Sequence, residues 1–210
     1  MDARERMSRL REASSACLGC GLAATRKRAV FGEGPERPGC LLVGEAPGAT
    51  EDETGRPFTG RSGKFLTDLL EEAGLSRGGI FITNVVKCRP PENRPPSREE
   101  IEACRPFLEA QMALLRPSLV LTVGTVATRE FLQAREGISL LRGRFHSSSW
   151  GEQGVMVRPV FHPSYLLRNR SRGEGAPVPL TLEDFRDVGR FLRGAIAGSP
   201  HSGRREGDLS

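Results

Sequence analysis

Three polar residues stand where apolar runs end. Glu45 follows Cys40-Leu41-Leu42-Val43-Gly44, Asn84 follows Ile80-Phe81-Ile82-Thr83, and His162 follows the run from Val155 to Phe161. A carboxylate at such a place can orient or activate a water molecule. An asparagine offers one donor and one acceptor, enough to read an amide or a nucleobase edge. The histidine precedes Pro163, which sets its backbone extended at the strand end. Phe58 sits in a Gly/Pro loop, Gly55-Arg56-Pro57-Phe58-Thr59-Gly60, and there offers a stacking platform. The plainer readings are a solvated loop carboxylate, a turn asparagine, a structural histidine and a loop-packing phenylalanine. Glu51, Asp52 and Glu53 read as solvated loop acids, with Glu51 and Asp52 in reserve should Glu45 not be the working carboxylate.

Five cysteines supply a second chemistry. Cys17 and Cys20 form a C-x2-C pair, and Cys88 and Cys104 lie downstream with fifteen residues between them. Four thiolates can hold one metal or one cluster. The spacing leaves zinc and iron–sulfur both open, though zinc ribbons favour two C-x2-C knuckles and the wide second pair leans towards iron–sulfur. Cys40 lies inside an apolar run and reads as a small buried hydrophobe.

Strands and helices must carry these residues to one place. Short apolar runs predict four strands: Cys40 to Val43, Ile80 to Thr83, Leu119 to Gly124, and Val155 to Phe161. Pro159 marks the last as an edge or bulged strand. Between them, Lys64 to Ala73 carries Phe65, Leu66, Leu69 and Leu70 at helical spacing, with Ser62 as its expected N-cap. Ser97-Arg98-Glu99-Glu100 is a capping box for a helix to about Leu115. Further helices are expected before Cys17, from Thr125 to Gln133, and from Leu182 to Ala197, while His146 and Trp150 fall in a serine-rich loop. Such alternation predicts an α/β fold: three α/β/α layers around a central, mostly parallel, four-stranded sheet. In a parallel sheet the strand ends share one edge, so Glu45, Asn84 and His162 converge there.

The chain of 210 residues suffices for one domain, expected over residues 1–197, with residues 198–210 as a disordered tail. No run reaches the length of a membrane helix, and the charged first residues have no signal-peptide core, so a cytoplasmic location without a membrane partner is expected. Thirty-one Lys and Arg against 26 Asp and Glu leave a net charge of +5, which suits a polyanionic partner.

Four ordered motifs carry a resemblance. They are Gly44-Glu45-Ala46-Pro47-Gly48; Gly55-x-Pro57-Phe58-x-Gly60-x-x-Gly63; Thr83-Asn84-x-x-Lys87-Cys88-Arg89-Pro90-Pro91; and His162-Pro163-Ser164. With the cysteine spacing, the chain from about residue 10 to 195 resembles the family 4 uracil-DNA glycosylases, the iron–sulfur members of their superfamily. Ala46 stands where family 1 carries an aspartate, and the family 5 motif lacks the acid. The resemblance implies a monofunctional, monomeric enzyme hydrolysing the N-glycosidic bond of uracil in single- or double-stranded DNA. It implies a [4Fe–4S] cluster on Cys17, Cys20, Cys88 and Cys104. By similarity, Gly44, Ala46 and Gly48 border the uracil pocket, Glu45 orients water, Phe58 stacks on the base and Asn84 reads its edge. His162 meets uracil O2, and Pro163 to Arg168 enter the minor groove. Ser62, Lys64, Ser164 and Arg168 are the expected DNA contacts. The alternative is a protein that binds uracil-DNA around a structural cluster without turnover, or a zinc protein of the same fold.

Overall fold

The computed structural model of the chain describes residues 2–150 and 154–197; the expected tail, residues 198–210, lies outside the described residues. In chain order the elements are α1 (Ala3–Ala16), β1 (Cys40–Gly44), α2 (Ala49–Thr54), α3 (Arg61–Glu72) and β2 (Ile80–Asn84). There follow α4 (Arg98–Leu115), β3 (Leu119–Val123), α5 (Thr125–Leu132) and α6 (Ile138–Leu141). The last are β4 (His146–Ser148), β5 (Val155–Val160), α7 (Pro163–Arg168) and α8 (Pro177–Ala197). Among the described residues no helix is long and apolar enough to cross a membrane.

Among the described residues the sheet has five strands, not four, in the order β2-β1-β3-β5-β4. The four expected strands run parallel, and β4 adds an antiparallel edge. β4 is three polar residues long, too short to show alternation, and it takes His146 out of the expected loop. Pro159 is accommodated because β4 pairs only with Val155 to Val157, which leaves that side of Pro159 unpaired.

Alternate strand residues face opposite layers. Leu42, Ile82, Leu121 and Val160 pack with Leu66, Leu69 and Leu70 of α3 and with Leu182 and Phe185 of α8. Leu41, Val43, Phe81 and Val120 pack on the other face with Leu108 and Met112 of α4 and with Phe131 of α5. Three layers result, with α1 docked on α4. Connections from β1 go to β2 on one side, and β3 then lies on the other. This reversal at β1 and β3 opens a crevice at the carboxyl ends of the strands, the usual ligand position in such sheets.

Two helix starts moved, and two short helices were added. α3 begins after Gly60, with Ser62 inside its first turn and not its N-cap. α8 begins five residues before Leu182, with Pro177 and Pro179 in its first turn, where a missing N–H costs little. α2 and α7 are six-residue helices without apolar periodicity, in stretches that read as loop. The Ser97 box forms as expected: Ser97 Oγ accepts from Glu100 N at 3.3 Å, and Glu100 Oε2 accepts from Ser97 N at 2.7 Å.

Candidate active site

Glu45, Asn84 and His162 meet in one cleft of roughly 600 Å³ at the carboxyl edge of the sheet. Gly44 and Asn84 are paired across β1 and β2, and the ladder continues as Val85 N donates to Gly44 O at 2.9 Å and Val86 N to Glu45 O at 3.2 Å. The two loops therefore leave the sheet fastened together. Ala46, Gly48, Phe58, Ser62, Ser164 and Arg168 line the same cleft. Lys64 does not; it lines an adjoining groove with Arg61, Phe65 and Arg170.

Phe58 is seated by long-range contacts. Its backbone is left-handed, at φ 51°, uncommon for a residue with a side chain. Arg77 holds it there, donating to Phe58 O at 3.3 Å and Pro57 O at 2.6 Å while pairing with Glu33. A Cβ on Gly63 would overlap the Phe58 backbone, and one on Gly44 would overlap both the Phe58 ring and Asn84 Oδ1. Glycine at these positions lets ring and amide lie side by side against β1. Asn84 is 1% exposed, and its Oδ1 is buried with no hydrogen-bond partner among the described residues. Such an orphan acceptor is costly unless a ligand supplies the donor.

His162 caps α7. Its Nδ1 accepts from Ser164 N at 3.2 Å and lies 2.7 Å from Ser164 Oγ. With Nδ1 accepting, the neutral ring carries its proton on Nε2, a tautomer assigned from the hydrogen bonds. Burial, with the nearby Arg168 charge adding to it, lowers the His162 pKa to about 4. The ring is thus a neutral donor at physiological pH. Glu45 is half-buried, and among the described residues its carboxylate has no hydrogen-bond partner. Burial raises its pKa above the ordinary value.

The acids after Glu45 behave otherwise than expected. Glu51 and Asp52 are not solvated; they are 8% and 2% exposed. Glu51 Oε1 accepts from Thr59 N at 2.9 Å and Gly60 N at 2.7 Å, and Oε2 accepts from Gly48 N at 3.1 Å. Its carboxylate therefore stitches the Phe58 loop to the Gly44–Gly48 loop. Asp52 Oδ1 accepts from Lys27 N at 2.9 Å and Arg28 N at 3.3 Å. Only Glu53 is solvated, paired with Lys27 at 2.8 Å. Both reserve candidates are thus engaged in holding loops, whereas among the described residues the Glu45 carboxylate has no hydrogen-bond partner.

The sequence pattern did not single out Gly124 and Thr125, or Asn93 and Arg94, which also line the cleft with Pro90 of the third motif. The glycine closing β3 was the available signal for the first pair. The others belong to the proline-rich loop that also carries Cys88.

Cys17, Cys20, Cys88 and Cys104 line one cavity between α1, α4 and that loop, together with Ser14, Arg26 and Lys87. Among the described residues no three potential ligands close tightly enough for a single metal ion. The cavity suits an anionic sulfur group. Gly19 N donates to Cys17 Sγ at 3.3 Å, Lys87 N to Cys104 Sγ at 3.2 Å, and Arg26 Nη1 to Cys88 Sγ at 3.2 Å. Ser14, lining the same cavity, has its Oγ buried without a partner among the described residues. Cys40 lies apart in β1, 1% exposed, its thiol pushed up to about 12 by burial.

A family model described as the uracil DNA glycosylase superfamily matches residues 31–186. The chain is 42% identical over 189 residues to a type-4 uracil-DNA glycosylase of Thermotoga maritima, covering 90% of this chain and 96% of that protein. It is 41% identical over 173 residues to a type-4 uracil-DNA glycosylase of Pyrobaculum aerophilum, covering 80% and 88%. A type-5 uracil-DNA glycosylase of the same organism is 33% identical over 173 residues, covering 75% and 70%. With the strand-end cleft and the cysteine cavity in place, these likenesses settle the family: the chain belongs to the type-4 branch of the uracil DNA glycosylase superfamily.

Proposed function

We propose that this chain releases uracil from DNA by hydrolysing the N-glycosidic bond and leaving an abasic site. The observation that carries the reading is the orphan Oδ1 of Asn84, buried beside the Phe58 ring in the cleft that Glu45 and His162 share. A base must leave the duplex to enter such a cleft. Phe58 offers the face on which it stacks. Oδ1 of Asn84 accepts the N3 proton of uracil and the amide nitrogen donates to O4; cytosine presents the opposite pattern at both atoms and is rejected. Nε2–H of His162 donates to O2, where negative charge gathers as the bond breaks, a role typically worth about 2.7–4 kcal/mol. Glu45 orients the attacking water and balances the cationic sugar. Ser62, Lys64, Ser164 and Arg168 hold the DNA on either side, and the protein acts as a monomer.

We infer that the four cysteines of the cavity hold a [4Fe–4S] cluster, because the donors aimed at their sulfurs and the unpartnered Ser14 hydroxyl match an anionic sulfur-rich group. Bound there, the cluster supplies a cross-link between α1, the Cys88 loop and α4.

The decisive experiment incubates single- and double-stranded oligonucleotides carrying one uracil with the protein and then treats them with alkali. Strand scission at uracil, and none at cytosine or thymine, is the expected result. Tight uracil-DNA binding without scission would establish the non-catalytic alternative.

A further inference from the structure

Lys87 is 1% exposed, and among the described residues it is the only lysine that is buried. Its Nζ donates to Thr83 Oγ1 at 2.7 Å, to the backbone oxygen of Asn84 at 2.7 Å and to Gln111 Oε1 at 2.8 Å. Three acceptors match the three N–H bonds of an ammonium and leave none unused. Gln111 and Thr83 are themselves tied down, each donating to Phe31 O at 2.8 Å. Burying a charge is expensive, and burial lowers the Lys87 pKa to about 7; an apolar side chain would fill the same space without that cost. What an apolar side chain cannot do is hold the Asn84 carbonyl.

That carbonyl needs holding because of where it lies. Asn84 is the last residue of β2, and β2 is an edge of the sheet. On its open side the strand is bridged at Ile82 by Glu33, two residues short of Asn84. We propose that Lys87 is a positioning residue for base reading: its ammonium fixes the Asn84 backbone on the open edge and so holds the amide at the angle the base requires. This rests on the role given above to Asn84. A positioning error of about 1 Å can slow an enzyme roughly 10²-fold, which makes such a clamp consequential.

The test uses the cluster-loaded protein and compares Lys87→Met, Asn84→Ala and the double variant in single-turnover uracil excision. DNA affinity and cluster absorbance are measured in parallel. Lys87→Met is expected to slow the saturating rate roughly 10- to 10²-fold, with DNA affinity and absorbance as in the unchanged protein. In the Asn84→Ala background it is expected to add nothing further, since the group it positions is gone. A normal rate, an equal further loss in the Asn84→Ala background, or loss of absorbance in step with the rate would each overturn the proposal. Asn84→Ala excising uracil normally would instead overturn the reading of Asn84 itself, a separate failure. Should Lys87→Met not fold, Thr83→Val removes one of the three acceptors and keeps the lysine. It is expected to give the same pattern at smaller size, and an unaltered rate there counts against the clamp.

Discussion

Glu45 and His162 face one cleft from the ends of β1 and β5, and burial moves their pKa values in opposite directions. Their variants should therefore differ. Glu45→Gln keeps the size and removes the charge; single-turnover excision is expected to fall roughly 10²-fold with DNA binding unchanged. His162→Ala is expected to fall by a similar or larger factor, because a preorganised donor is lost. The pH profile separates them further. Excision should decline on the acid side as Glu45 takes up a proton, with a midpoint above 4.5, and Glu45→Gln should lack that limb. For stability the sign follows from His162. Its folded pKa of about 4 lies below the ordinary 6.5, so the unfolded chain binds a proton in that window and the folded chain does not. Its contribution is complete above pH 6.5 and is lost as pH falls towards 4, a change of roughly 3 kcal/mol at most. Denaturant midpoints taken across that window should fall less in His162→Ala than in the unchanged protein.

The loops that carry the site are fastened by single groups, so small changes in them should act at the level of the element. Gly63, in the first turn of α3, touches the Phe58 backbone. Gly63→Ala forces either the helix or the Phe58 loop to move, at a cost of about 1–3 kcal/mol. Equilibrium unfolding should show that loss, and uracil excision should fall beyond it because the stacking ring is displaced. Full stability with full activity in this variant would mean that the contact between α3 and the Phe58 loop is slack.

Two properties belong to the molecule as a whole. The cysteine cavity joins α1 to the Cys88 loop and α4, which lie far downstream of it in sequence. Cys88→Ala is expected to abolish absorbance near 400 nm and lower the unfolding temperature, whereas Cys40→Ala should leave the absorbance intact because Cys40 lies in the core of the sheet. Metal analysis of anaerobically prepared protein should return iron; zinc would refute the cluster. The net charge of +5 bears on the partner. Duplex affinity should fall steadily with rising salt, and Arg168→Ala should weaken binding and flatten that slope by about one phosphate contact. Arg168 lines the cleft and is exposed.

Most local signals in the sequence determined their outcome, although Ser62 did not cap α3. Four apolar runs became parallel strands, because burial on both faces needs no partner-specific information. The Ser97 box started its helix through atoms three residues apart. The ends of β1, β2 and β5 could be read as one edge because parallel strands leave no other arrangement. Tertiary structure decided what depends on atoms distant in sequence. Glu51 and Asp52 look like solvent acids in a polar stretch, and they are buried because backbone N–H groups of Thr59, Gly60, Lys27 and Arg28 come to meet them. β4 exists only because β5 offers it an edge. Lys87 reads as one more cation in a basic chain until Thr83 and Gln111, from β2 and α4, close around it together with the Asn84 carbonyl. A carboxylate or an ammonium is polar in any sequence; only the groups packed around it determine whether it faces water, a backbone or a substrate.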